Sequence, residues 1–446
     1  MRILRAAALF TCSCLALTIT ACGPTARPQP DARGFGAYLY GADGNMSNGF
    51  GEEVDKALDK KPGVLLGMKG TRPATPLSEE FQARLRAEDA SLTDFNYAGE
   101  AYDAVVIAAL AAQVAGTTDP NIVKQHITGV TIGPEPCRTI ADCLRNAKEG
   151  RDVAYRGITI RSGFTDAGEP STTSYGTVHF GQSNRLDNGK TEYLRAGNEA
   201  TASTAAPPKQ VTAGSGRQSS APLIIGGLMT SSLPTNKARV AGARMAAKEI
   251  NGAGGVLGAP VVWKDGDDGN KADVALAQIN THKAAGVHVL IGTSGSAVGL
   301  AMVPEIVKRG MIMISPSNTS AALSKVDDQG FYFRTAPSDV LQARAIADMI
   351  MRDGARKVSL IGKKDAYGEG LLDGVKKELT AAGMTETNIQ SLTFEIDGTK
   401  VKDVNAVAAT AQQAVGFNPD GVLIVGTAES AEVVKALTKA NLEIRR

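Results

Sequence analysis

The chain has 446 residues, is 43% apolar and carries a formal net charge of +2. This length admits one large domain or roughly two to three ordinary ones, with ample core. Its lysines and arginines are scattered, without a basic stripe or interleaved aromatics, which argues against nucleic acid or an acidic membrane surface as partner.

The N-terminus opens with MRILR and then an apolar run, Ala6–Ala21. The run is too short to span a bilayer and is flanked like an export signal, so residues 1–21 are expected to be a signal peptide. It ends in ITAC, Ile19–Cys22. That ending resembles a bacterial lipobox, which implies that Cys22 is lipidated, becomes the mature N-terminus and holds the protein to a membrane outside the cytoplasm. A polar, proline-bearing tether follows over 22–33. Cys12 and Cys14 leave with the signal, so Cys137 and Cys143 in CRTIADC remain as a pair. In an exported protein such a pair predicts a local disulfide, contributing roughly 2–3 kcal/mol at best. The spacing is not that of a zinc knuckle, and neither metal nor cofactor is expected.

Residues 34–196 form a first folded segment. GFGAYLYG (34–41) and GVLLGMKG (63–70) read as strands, EEFQARLR (79–86) and the stretch 97–115 as helices. Strands and a turn follow at 152–159, 164–170 and 173–180. Residues 197–222 are rich in Ser, Thr, Ala, Gly and Pro and read as a flexible linker. The third segment, 223–446, alternates. Strands are expected at 223–228, 260–265, 287–293, 311–315, 357–362 and 420–427, with helices between and after them. This pattern predicts an α/β fold with mostly parallel sheets covered on both faces. Two such series, joined at 332–338, predict two lobes. The chain stops at ANLEIRR, where another strand is due, and the first segment begins with that strand. Neither segment is complete alone.

KARVAGARMAAKEINGAGGVLGAPVVWKDGDDG, VLIGTSGSAVGLAMVP, MIMISPSNTS, FYFRTAPSD and DAYGEGLLDGVKKEL, together with YAGEAYDAVVIAA, YRGIT and FTDAGEP from the first segment, resemble the branched-chain and hydrophobic amino-acid ABC-transporter substrate-binding proteins. These are type I periplasmic binding proteins of the leucine/isoleucine/valine-binding kind. The resemblance implies two Rossmann-like lobes joined by a hinge. The matching stretches run in rotated order, which implies a circular permutation with residues 197–222 joining the ancestral C- and N-termini. A flexible chain of that length spans roughly 28 Å r.m.s.. On this reading 70–150 plus 223–338 make the first lobe, and 34–69, 340–446 and 152–190 the second.

Open parallel sheets bind ligands at the C-terminal ends of their strands. Thr293, Ser294 and Ser296 fall there, as do Ser317 and Thr319. Hydroxyls and free N–H groups at a helix start suit a carboxylate, although N-cap and turn roles are the commoner use of these residues. The resemblance implies that Ser296 and Thr319 hold the α-carboxylate of an amino acid and that Ser317 offers backbone atoms. It further implies that Tyr367 packs over the ligand and that Asp43 pairs with its ammonium; local packing and an Asx turn are their alternative roles. Where the family has a second tyrosine, this chain has Ala428, then Glu429. Ala428 is therefore expected to enlarge the pocket, and Glu429 either adds negative charge or faces solvent.

Catalytic patterns are lacking in the sequence. GTSGSAVG lacks the lysine of a phosphate loop, DGDDGN lacks the closing acid of a calcium loop, and neither HExxH nor GxSxG occurs. The expected protein is a monomeric, non-enzymatic, lipid-anchored binder. It delivers a small amino acid to an ABC permease. A sensory lipoprotein on the same fold, or a binder of amides, urea or other small carboxylates, is the alternative.

Overall fold

The computed structural model describes residues 36–208 and 221–445. The signal segment, Cys22, the tether 22–33 and the linker stretch 209–220 lie outside the described residues.

In chain order, the strands of the two main sheets are β1 (Tyr38–Gly41), β2 (Lys69–Pro73), β3 (Thr172–His179), β4 (Glu192–Gly197), β5 (Ile224–Leu228), β6 (Val262–Lys264), β7 (Val289–Gly292), β8 (Ile312–Ser315), β9 (Tyr332–Arg334), β10 (Val358–Lys363), β11 (Ile389–Phe394) and β12 (Gly421–Val425). A five-stranded, all-parallel sheet has the order β9-β8-β7-β5-β6. A seven-stranded sheet has the order β11-β10-β12-β1-β2-β3-β4. Strand β1, from the first segment, lies between β12 and β2 and is parallel to both, with Tyr38 opposite Gly421 and Tyr40 opposite Lys69.

Alternation along the strands explains why the larger sheet is covered on both faces. Leu39, Ile361, Val422 and Ile424 pack into one cluster with Phe50 and Val434. Their neighbours Tyr40, Leu360, Leu423 and Val425 pack into another with Ile346 and Leu371. The five-stranded sheet shares a third cluster with the helix α1 (Ala98–Ala115). Helix α1 is predominantly apolar with no continuous polar face, and it is buried along its whole length. Among the described residues it alone is long and apolar enough to cross a membrane, and all of it lies inside the protein. It crosses α2 (Lys237–Gly252) at Gly242, where an added Cβ would stand 2.2 Å from the Ala98 carbonyl oxygen.

The structure departs from the sequence expectations at several places. The larger sheet is mixed, because β3 pairs antiparallel with both β2 and β4. No crossover helix intervenes over 172–197, so the chain can only return antiparallel. The run 63–70 is mostly turn, with Leu66 N–H donating to Gly63 O and Met68 N–H to Leu65 O, and the strand begins at Lys69. Residues 152–190 are expected with the second lobe, and β3 within them does join the seven-stranded sheet. Val153, Tyr155, Ile160 and Phe164 instead belong to the cluster around α1. They are drawn there by Asp103 of α1, whose carboxylate accepts from the Tyr155 hydroxyl and the N–H groups of Ile158, Thr159 and Ile160 at 2.6–3.1 Å. The linker expected over 197–222 is fixed at its start: Asn198 N–H donates to Ser171 O and Ser203 N–H to Phe164 O. Cys137 and Cys143 are disulfide-bonded.

The start and end of the described body are neighbours. Ala37 N–H donates to Glu443 O at 2.7 Å, and Arg445 N–H to Ala37 O at 2.8 Å.

Candidate functional site

The C-terminal ends of strands from both sheets open onto one cavity. From the five-stranded sheet, the loops after β5, β7 and β8 bring Thr230, Ser294, Ser296, Ser317 and Thr319 to its wall. From the seven-stranded sheet, the ends of β1, β10 and β12 bring Asp43, Lys363, Tyr367 and Thr427.

The hydroxyl wall is built by side chains that tie loop to loop. Ser296 opens helix α3 (Ser296–Arg309), and its Oγ accepts from the N–H groups of Thr319 and Ser320 at 3.1 and 3.2 Å. Ser317 donates from Oγ to Ser294 O at 3.2 Å. Asp268 is fully buried and accepts from the Thr230 hydroxyl, from Ser294 N–H at 2.7 Å and from Asn270 N–H at 2.9 Å. Arg334, also fully buried, clamps the serine/threonine loop from below. It donates to Glu169 at 2.8 Å, to the carbonyls of Asn318 and Ser320 at 3.0 Å and to Ser324 at 2.6 Å.

Opposite stands Asp43, 4% exposed and held between two phenols. Tyr97 donates to its Oδ2 at 2.6 Å and Tyr367 to its Oδ1 at 2.7 Å. Tyr97 adopts left-handed backbone geometry (φ 59°, ψ 15°) immediately before α1, an uncommon conformation for a bulky residue. Burial, with the Asp43 charge next, raises the pKa of both phenols well above the usual tyrosine value, so both remain proton donors. Each Asp43 oxygen keeps a lone pair for a further donor.

Two cations line the cavity. Lys363 is 2% exposed and pairs with Asp365 at 3.1 Å. Burial works to lower its pKa, but Asp365, Glu429 and Asp43 outweigh that and raise it. Arg239, on α2, stacks over the Tyr97 ring with its guanidinium carbon 4.8 Å from the centroid. It donates to Ser317 Oγ at 3.1 Å.

Of the residues singled out from sequence, Asp43, Ser296, Ser317, Thr319 and Tyr367 line this one cavity. Ala428 does not. It sits behind the wall, with its carbonyl accepting Ala431 N–H, and Thr427 occupies the wall in its place. Glu429 neither faces solvent nor reaches the cavity; it folds back onto the N–H and hydroxyl of Thr427. Sequence reasoning missed Arg239, Lys363, Tyr97 and Thr427. A signal for Arg239 was available: at helical spacing it lines up with Ala243, Ala246 and Ile250, all on the buried face of α2.

On the side where Asn270 lines the cavity, two contacts join the loop after β6 to the turn 397–400. Asn270 donates to Gly398 O at 2.7 Å, and Lys271 pairs with Asp397 at 2.6 Å. Among the described residues no group of three or more His, Cys, Asp or Glu side chains is arranged to hold a metal ion.

Residues 225–445 match the family model described as periplasmic binding protein. Curated relatives include a Leu/Ile/Val-binding protein homolog 3 of Brucella melitensis, 30% identical over 171 residues, covering 37% of this chain and 46% of the relative. Another is the Leu/Ile/Val-binding protein BraC3 of Rhizobium johnstonii, 28% identical over 191 residues, covering 41% of this chain and 50% of the relative. The chain thus spans about half the length of the curated relatives it matches. Among solved structures, an ABC transporter substrate-binding protein from Desulfitobacterium hafniense in complex with Leu is 24% identical, with a TM-score of 0.40. That match covers 50% of this chain and 65% of the other.

Proposed function

From the match of residues 225–445 to the periplasmic binding protein family model, we propose that the chain is a member of that family, captures a small amino acid in the cavity between the two sheets and delivers it to an ABC importer. It binds and releases the solute without chemistry. Ser296, Ser317 and Thr319 receive the carboxylate, Asp43 the ammonium, and Tyr367 covers the ligand. The observation that carries this reading is the cavity itself: a hydroxyl wall at the strand ends of one sheet faces a buried, phenol-held carboxylate at the strand ends of the other. The protein acts outside the cytoplasm, held by lipid on Cys22.

The proposal includes two Rossmann-like lobes that close by hinge motion, and a circularly permuted order. Three features support the permutation: the insertion of β1 between β12 and β2, the packing of α1 in the core of the five-stranded sheet, and the adjacency of Ala37 to Glu443.

One preparation tests function and location together. Cells expressing the full chain are fractionated, and the solubilised membrane fraction is titrated calorimetrically with the twenty amino acids. The chain is expected in that fraction, binding at least one amino acid. Asp43→Asn leaves the buried ammonium without its charge partner, at a cost of about 3–5 kcal/mol, a hundredfold or more in affinity. Equal binding by wild type and variant defeats the ammonium assignment, and recovery in the soluble fraction defeats the anchor.

A further inference from the structure

The described residues include three fully or nearly buried basic side chains of the Lys/Arg type: Arg334 at 1% exposure, Lys363 at 2% and Arg239 at 7%. Two of them have a carboxylate partner, Glu169 for Arg334 and Asp365 for Lys363. Arg239 has none within ion-pair distance. Its protein contacts are a single hydroxyl, Ser317 Oγ, and the face of the Tyr97 ring, while its Nε is buried without a hydrogen-bond partner.

Asp43 and Asp268 act on it only from beyond ion-pair distance: Asp43 is held by two phenols, and Asp268 by Thr230, Ser294 and Asn270. Glu100 is buried and holds its proton at neutral pH, because burial pushes its pKa up to about 8. A guanidinium cannot shed its charge to escape this situation. Buried charge without a counterion is costly, and the cost is offset when an anion arrives. Arg239 lines the cavity together with Thr319, whose buried Oγ1 also lacks a hydrogen-bond partner.

We infer that Arg239 is a ligand-binding residue whose guanidinium receives a carboxylate of the solute, so that the cavity selects organic acids over their uncharged counterparts. The inference rests on the cavity being the solute site, as proposed above. It differs in giving the carboxylate a charged, planar partner where only hydroxyls and backbone N–H groups were expected. An arginine offers paired N–H donors that match the two oxygens of a carboxylate, and in a desolvated site such a pairing separates acid from amide strongly.

The test uses three acid/amide pairs as probes: L-leucine and L-leucinamide, benzoate and benzamide, succinate and succinamide. Each is titrated calorimetrically into the wild-type protein, Arg239→Gln and Arg239→Lys. At least one acid is expected to bind wild type at least tenfold more tightly than its amide. Arg239→Gln should weaken that acid by about 100-fold and change the amide little, with Arg239→Lys falling between. The ligand-free Arg239→Gln protein should unfold at or above the wild-type temperature, since it loses an uncompensated buried charge.

Binding of the acid by Arg239→Gln within threefold of wild type overturns the inference, as does equal wild-type affinity for acid and amide, or failure of every acid to bind. A fall of more than 5 °C in the unfolding temperature of the ligand-free variant also overturns it, by marking Arg239 as a structural residue. The two readings fail separately. Leucine bound equally by wild type and Arg239→Gln upholds the amino-acid reading and sinks the role of Arg239. Benzoate or succinate bound in an Arg239-dependent manner, with leucine unbound, does the reverse.

Discussion

Glu100 sits within α1, 6% exposed, with its backbone carbonyl accepting the Thr335 hydroxyl at 2.8 Å. Burial is the main cause of its raised pKa and Asp103 adds to it, while its own backbone N–H, Arg72 and Arg239 pull the other way. The native state therefore keeps this proton up to about pH 8, whereas an unfolded chain loses it near the ordinary glutamate value of 4.5. The stabilisation from this group is complete below the lower value and is lost as pH rises through the window, at up to about 1.4 kcal/mol per pH unit. Glu100→Gln should remove that slope, so urea midpoints measured from pH 5 to pH 8 fall for wild type relative to the variant. Parallel profiles would sink the assignment. The same residue scale shows why part of the site escaped sequence reading. Asp43 and the serines announce themselves at strand ends, but Arg239 is one cation on an otherwise apolar helical face, and only its burial separates it from a solvated arginine. Lys363 closes a buried strand and reads as ordinary polar termination until Asp365 is seen beside it.

At the scale of elements, the crossing of α1 and α2 depends on one absent side chain. A methyl at Gly242 would meet the Ala98 carbonyl oxygen, a backbone atom that cannot swing aside. Alanine gains up to about 1 kcal/mol over glycine in a helix, yet Gly242→Ala should destabilise by about 1–3 kcal/mol because the helices must part. Gly252→Ala, at the end of the same helix with nothing within 4 Å, is the matched control and should be neutral or stabilising. Denaturant unfolding of both variants decides the matter; equal effects would mean the crossing is not tight. Periodicity made the long helices legible, and α1 matched its expected span to within one residue because a predominantly apolar run of that length, interrupted only by Glu100, Asp103 and Gln113, favours a buried helix. Edge structure was less legible. The β4 sequence EYLRAG is largely exposed and carries no apolar alternation, so its pairing with β3 comes from backbone hydrogen bonds alone. The apolar run 63–70 misleads for the opposite reason: Gly63 at φ +69° starts a turn, and Leu65 and Met68 are buried from within it rather than from a strand.

Over the whole molecule, the proposed permutation makes a chain-level prediction. Ala37 and Glu443 already touch, so a short bridge from residue 445 to residue 36, with the chain opened within 209–220, changes connectivity while keeping every described strand pairing. The rearranged protein should fold, and its affinity for whichever amino acid the wild type binds should stay within a few-fold. Failure to fold, or loss of binding by a folded product, would show that the present order is required and not merely tolerated. The contacts between Asn270 and Gly398 and between Lys271 and Asp397 carry a consequence of another kind. They join the loop after β6, whose Asn270 lines the cavity, to the turn 397–400, which does not. Under the proposed hinge motion the two sides of the cavity must part to release a solute, and these contacts then break first, so their strength bears on the rate of exchange. Lys271 and Asp397 are 42% and 69% exposed, so dissolved ions screen their attraction while leaving the neighbouring amide–carbonyl bond largely intact. On that reading the speed of exchange rises with the salinity of the surroundings.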